Sequence, residues 1–186
     1  MLRKILITIG IVGVLGAVGG FGAYSAFTAT TTNDNNTFAS GSVQISDNDA
    51  NVEIYSVAAA KPGDFEEACV KVTYTGTLPA NVKLSRGTVG ALGAYVNLKV
   101  YKGTGNAMNC TGFADTNGGT PLFDNTLTSM GTDWTGGLAL TNASGSATWS
   151  QNDTVTYRIR GTLIDDANAQ NKSTGLHSFT WEARNT

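Results

Sequence analysis

Between Val155 and Leu163 the chain alternates without a break. Val155, Tyr157, Ile159, Gly161 and Leu163 are apolar or small, and Thr156, Arg158, Arg160 and Thr162 lie between them. Successive side chains of an extended strand point to opposite faces, so this period of two predicts a strand with one face in a core and the other toward water. The same period recurs where Ala68, Val70, Val72 and Tyr74 alternate with Cys69, Lys71, Thr73 and Thr75. It recurs again where Val96, Leu98 and Val100 alternate with Tyr95, Asn97, Lys99 and Tyr101. Shorter apolar groups at Phe38, Val43 and Ile45, at Val52 and Ile54, at Val82 and Leu84, at Ala147 and Trp149, and at Phe179, Trp181 and Ala183 bring the expected total to seven or eight strands. Turn signals separate them. In Lys61-Pro62-Gly63-Asp64, Pro presets φ at the second position and Gly accepts a positive φ at the third. Asp47-Asn48-Asp49 and Gly76-Thr77-Leu78-Pro79 serve as further turns. Many short strands at this spacing predict an all-β, jelly-roll-like β sandwich.

Composition agrees with the pattern. Charged residues make up 14% of the chain and there are 23 Gly, too little charge and too much Gly for the wet faces of a helical bundle. Thr takes many polar positions, and a β-branched residue suits an exposed pleated face. One short helix is expected. Thr120 is a suitable N-cap, Pro121 suits the first helical position, and Phe123, Leu127 and Met130 fall on one helical face. Residues 103–119 are polar and rich in Gly and Asn, and read as a long loop. Neither an internal repeat nor a second domain is legible.

The first residues have the layout of a secretory leader. Arg3 and Lys4 form a short positive region, an apolar run follows from Ile5 to Phe21, and small residues stand at Ala23, Ser25 and Ala26. Cleavage before Ala26 or after it, leaving Phe27 first, would both satisfy the pattern, and an uncleaved membrane anchor is the alternative. The expected organisation is therefore a signal peptide at 1–26, an extended segment at 27–36 and one β-sandwich domain at 37–186. Cys69 and Cys110 are the only cysteines. In an exported chain their default state is a disulfide.

The formal net charge is −2. Loss of Arg3 and Lys4 with the leader takes Lys+Arg from 12 to 10 against 14 Asp+Glu, so the mature chain is near −4. No basic block follows the leader, which argues against nucleic-acid binding, since that depends on clustered Lys and Arg. The single His, His177, falls in an expected strand and has no second imidazole to build a zinc protease site. No nucleophile elbow or dinucleotide-binding glycine motif is present, so the chain is read as non-catalytic and without a cofactor. Asp47, Asn48 and Asp49, or Asp165, Asp166 and Asn168, could offer oxygen ligands to calcium, but such clusters are more often turn residues. Asn35, Asn109, Asn142, Asn152 and Asn171 fit the Asn-x-Ser/Thr acceptor pattern. Tyr95, Tyr101, Trp134 and Trp149 are the stacking candidates if the domain is a monomeric binding module for glycans or a surface protein; the alternative puts Trp149 in the core and the Tyr residues on sheet faces.

Several short motifs, in order along the whole chain, resemble the TasA/camelysin family of secreted biofilm matrix fibre proteins. They are Ala26-Phe27 at the end of the leader, Asn36-Thr37-Phe38-Ala39-Ser40-Gly41-Ser42-Val43-Gln44-Ile45, and the Lys61-Pro62-Gly63-Asp64 turn. Residues 70–84 with their Thr-Gly-Thr-Leu turn continue the series, followed by Asn168-Ala169-Gln170 and the closing Phe179-Thr180-Trp181-Glu182-Ala183. The small domain, the different central loop and the cysteine pair depart from the better-known members. The resemblance implies a jelly-roll domain, export through a dedicated signal peptidase and self-assembly into extracellular fibres, with other matrix proteins as further partners. The membrane is then met only through the leader.

Residues 27–36 are expected to be the joining strand. Thr28, Thr30, Thr31 and Thr32 favour an extended backbone, and neither Pro nor Gly interrupts them. Phe27 and Ala29 are the only apolar residues, too few to offset the entropy of ordering ten residues at about 1–2 kcal/mol each. A neighbouring subunit's sheet edge would supply the missing partners, with Phe27, Ala29 and Thr31 as contact residues. The alternative is a flexible linker. The last residues, Glu182 to Thr186, carry no sorting signal, so retention at a surface is expected to come from assembly, a partner or an uncleaved leader.

Overall fold

A computed structural model describes residues 40–49 and 56–186. The longest strands form where the period of two is strongest. β1 (Ile45–Asp47), β2 (Phe65–Tyr74), β4 (Val96–Thr104) and β9 (Thr154–Leu163) make one antiparallel sheet, extended by β5 (Ala114–Asp115) and β6 (Phe123–Thr126), which both pair with β4. β3 (Ala80–Arg86), β7 (Leu138–Leu140), β8 (Thr148–Trp149) and β10 (Phe179–Asn185) make the second. The sheet order β1-β2-β9-β4-β5 puts β9 between two strands far from it in sequence. The chain crosses from sheet to sheet at β2–β3, β3–β4, β6–β7, β8–β9 and β9–β10. The result is an all-β sandwich.

The core lies between the sheets. Val70, Val72 and Tyr74 of β2, Leu98 and Val100 of β4, and Val155, Tyr157 and Ile159 of β9 face Ala80, Val82 and Leu84 of β3. Trp149 fills the space beside them at 0% exposure, its indole N–H donating to the Leu140 carbonyl at 3.4 Å. Burying side chains of this size contributes roughly 1.5–3 kcal/mol each, which makes this row the main source of stability. The Lys61–Asp64 turn closes as its residues require, with the Asp64 N–H donating to the Lys61 carbonyl at 2.9 Å and Gly63 at φ +86°.

Four expectations change. The helix over residues 120–130 does not form. Phe123–Thr126 instead becomes β6 on the edge of β4, and only Leu127–Ser129 makes a 3₁₀ turn. One or two helical turns are marginal alone, whereas the β4 edge offers a ladder of ready backbone partners. Leu127 and Met130 still reach the core. The described residues contain ten strands, more than seven or eight, because the short pieces β5, β6 and β7 are not legible as strands in the sequence. The first strand, expected to take in Phe38 and Val43, begins at Ile45 among the described residues, and Gly41 ahead of it lies so close to Leu78 that an added Cβ would overlap that side chain. His177 lies in the loop before β10. Phe38 and the strand expected at Val52 and Ile54 lie outside the described residues.

Candidate assembly surface

The strand registers define the two ends of the sandwich. β2 starts and β9 ends at one of them, where Val96 pairs with Leu163 and β10 begins at Phe179. At the other end the chain enters from Ser40. There the carbonyls of Ser42 and Gln44 accept hydrogen bonds from the N–H groups of residues 75–78, and the Thr186 N–H donates to the Pro79 carbonyl.

A groove of about 860 Å³ opens at the Phe65 end, with Phe65, Leu92, Val96, Leu163, Leu176 and Phe179 among its walls. Large apolar side chains that remain exposed among the described residues fall at the two ends only. Val57, Phe65 and Leu176, the last at 97% exposure, line the groove, while Val43 and Leu78 lie at the Ser40 end. Exposed apolar residues gathered in this way mark contact surfaces more than isolated ones do.

The groove runs into the edge of the four-stranded sheet. Among the described residues β10 has a strand partner on one side only, β3, along all seven of its residues. Its inward residues Phe179, Trp181 and Ala183 are half-buried, whereas their neighbours Val82 and Leu84 on β3 are fully covered. The Trp181 indole N–H is enclosed without a hydrogen-bond partner among the described residues. An unpaired edge beside a half-covered apolar row is a template for another strand.

The outer face of the six-stranded sheet is built differently. Cys69 and Cys110 are joined, with Cα atoms 5.0 Å apart, and the bond pins residues 105–113 over the sheet. The Cys69 N–H donates to the Met108 carbonyl at 2.8 Å, and the Thr156 hydroxyl to the Gly105 carbonyl at 2.6 Å. The Asn48 side chain bridges the Lys71 N–H and the Asn106 carbonyl. The Arg158 guanidinium lies 4.4 Å from the ring centre of Tyr101 and 4.9 Å from that of Phe113, and Arg160 lies 3.6 Å from that of Phe65. Glu67 stands 3.9–4.0 Å from both arginines, close enough for charge attraction and too far for a good hydrogen bond.

The stacking candidates are occupied or buried. Lys172 lies over Tyr95, Arg158 over Tyr101, and Lys83 and Arg184 over Trp134, so the chain's own cations take those ring faces. Trp149 is core. The clusters considered for calcium act as local turns. Asp47 accepts from the Asp49 N–H, and burial, reinforced by Asp49, raises its pKa. Asp166 caps residues 167–169 by accepting from both the N–H and the side-chain amide of Asn168. The His177 Nδ1 lies 3.2 Å from the Gly175 carbonyl, with its ring edge-on to Phe179. Ala26, Phe27, Ala29 and Thr31 lie outside the described residues.

One group escaped the sequence reading. Lys102 continues the inward series Leu98 and Val100, and it is only 7% exposed. The signal was the period itself, carried one step beyond Val100. Among the described residues, no helix is long and apolar enough to cross a membrane. No family model matches the chain, and no curated protein matches it.

Proposed function

We propose that this chain is a secreted structural subunit of an extracellular fibre, joined to its neighbours by strand donation. In this reading the leader at 1–26 is removed. Residues 27–36 of one copy then pair with the free edge of β10 in the next, with Phe27 or Ala29 entering the groove beside Phe179. Self-association is the function, and no reaction is assigned. The resemblance to TasA/camelysin proteins gives the same reading from the residues.

The observation that carries it is the distribution of exposed apolar side chains between the two ends. The groove and the start of β10 are at one end, and the chain enters the domain at the other. A segment leaving one copy at Ser40 and docking at the opposite end of the next makes a head-to-tail contact. Such a contact gives a filament when its rotation does not close. The disulfide fits an oxidising compartment. A monomeric glycan-binding module has less support, because the aromatic faces such a module would use are covered by the chain's own Lys and Arg.

Deletion of residues 27–36 from the mature chain tests the reading. It should leave a folded monomer that forms no fibres under electron microscopy. An Ala183→Pro change, which removes a β10 N–H that faces away from β3, should weaken polymerisation while the monomer still folds. Fibres that form as readily without residues 27–36 would refute strand donation.

A further inference from the structure

Lys102 is buried without a counter-charge among the described residues. Its ammonium donates to the Asn142 main-chain carbonyl at 2.6 Å and to the Thr141 hydroxyl at 3.1 Å, and neither partner is a carboxylate. An unpaired ammonium in a sandwich core is costly, and burial lowers the Lys102 pKa, which favours the neutral amine. A neutral primary amine is a nucleophile.

The Asn142 side chain beside it is arranged as an electrophile. Asn142 is 8% exposed. Its Oδ1 accepts from the Ser144 hydroxyl at 2.8 Å and from the Ser146 N–H at 2.9 Å. Its Nδ2 donates to the Asp153 carboxylate at 2.9 Å and to the Thr148 carbonyl at 3.3 Å. These partners fix the orientation of the amide, because a backbone N–H can only donate and an ionised carboxylate can only accept. Two donors on the amide oxygen are the arrangement that stabilises negative charge developing there. A carboxylate at the amide nitrogen is placed to move a proton to it. The Ser150 N–H, at 2.8 Å, holds that carboxylate oxygen in place.

We propose that Lys102 and Asn142 join spontaneously in an intramolecular isopeptide bond. The Lys102 Nζ lone pair attacks the Asn142 Cγ. Negative charge gathers on Oδ1, where Ser144 and Ser146 hold it. The Asp153 carboxylate takes a proton from Nζ and passes it to Nδ2. The Cγ–Nδ2 bond then breaks and ammonia leaves. One C–N bond forms and one breaks, no electrons are exchanged with an outside reagent, and the products are a secondary amide and NH₃. The amine rests on the main-chain oxygen of Asn142, and the reaction requires its flexible stem to turn from there to Cγ of the same residue. The product would tie β4 of one sheet to the β7–β8 segment of the other, across the sandwich. It would also remove a buried charge. A covalent tie between the sheets suits a subunit under tension, although the chemistry does not depend on assembly.

Mass spectrometry of the folded, exported protein decides the matter. After reduction its mass should lie about 17 Da below that of the mature sequence, the mass of the ammonia lost. Trypsin should leave the chain uncut after Lys102 and release a branched peptide containing both Lys102 and Asn142. Lys102→Met, which removes the charge and keeps an apolar stem, and Asp153→Asn, which keeps a polar side chain without the proton carrier, should each fold and each regain the full mass. A folded wild-type protein of full mass would overturn the proposal. So would a 17 Da deficit mapped to another place, such as succinimide at Asn117-Gly118.

Discussion

The two faces of β9 both exclude water, by different means. Inward, Val155, Tyr157 and Ile159 meet apolar rows from three other strands, and the exclusion comes from complementary packing. Outward, Thr156 and Arg158 are shielded because a disulfide and three hydrogen bonds, to the carbonyls of Gly105, Asn106 and Met108, hold residues 105–113 over them, with Arg158 lying between two rings. The inner face therefore tolerates any set of side chains of similar shape and apolarity. The outer face depends on a few particular bonds, and each can be broken alone.

The largest effect should come from the inner face. Trp149→Ala should lower unfolding stability in urea by roughly 3–5 kcal/mol, since it leaves a cavity between sheets that cannot collapse freely. A loss below about 1 kcal/mol would show that the core repacks and would blur the contrast. Next comes the cross-link. Replacing both Cys69 and Cys110 by Ser should cost about 2–4 kcal/mol for a bridge separated by 41 residues. Hydrogen exchange should quicken across residues 105–113 while Val155, Tyr157 and Ile159 stay protected. Equal quickening on both faces would mean that the loop and the core open as one unit.

Arg158→Ala should cost about 1 kcal/mol by removing the cation between Tyr101 and Phe113. Arg158→Lys should recover only part of it, because an ammonium lacks the planar group that stacks on both rings. The smallest effect belongs to the rim. Asp124 accepts from the Asn97 side chain and pairs with Lys99 at 3.0 Å, and these contacts, Asn97 first, hold its pKa below the ordinary 3.8. The stability from this group is present above pH 3.8 and fades as pH falls through the lower folded value. Asp124→Asn should change stability by less than about 0.5 kcal/mol near neutrality and flatten the acid limb of the profile.

The amino-acid order by itself determined the β class, the three long strands, the Lys61–Asp64 turn and the cysteine pairing. Each depends on neighbours in sequence, or on there being only two cysteines to pair. Periodicity at Val155 to Leu163 needs no partner to be read, and a Pro-Gly pair favours one turn type wherever it occurs. Tertiary structure decided what depends on a distant edge or a distant group. Residues 123–126 read as helix until the β4 edge is present to capture them. Trp149 stood between surface stacking and the core until the six-stranded sheet packed over it, and Tyr101 read as a stacking candidate until Arg158 occupied its face. Lys102 lay on the inner face by simple alternation. What it meets there, an asparagine 40 positions away whose amide is held by Ser144, Ser146 and Asp153, exists only once β4 packs against the turn after β7. Alternation along a strand tells which way a side chain points, and only the packing of the opposite sheet tells what waits for it.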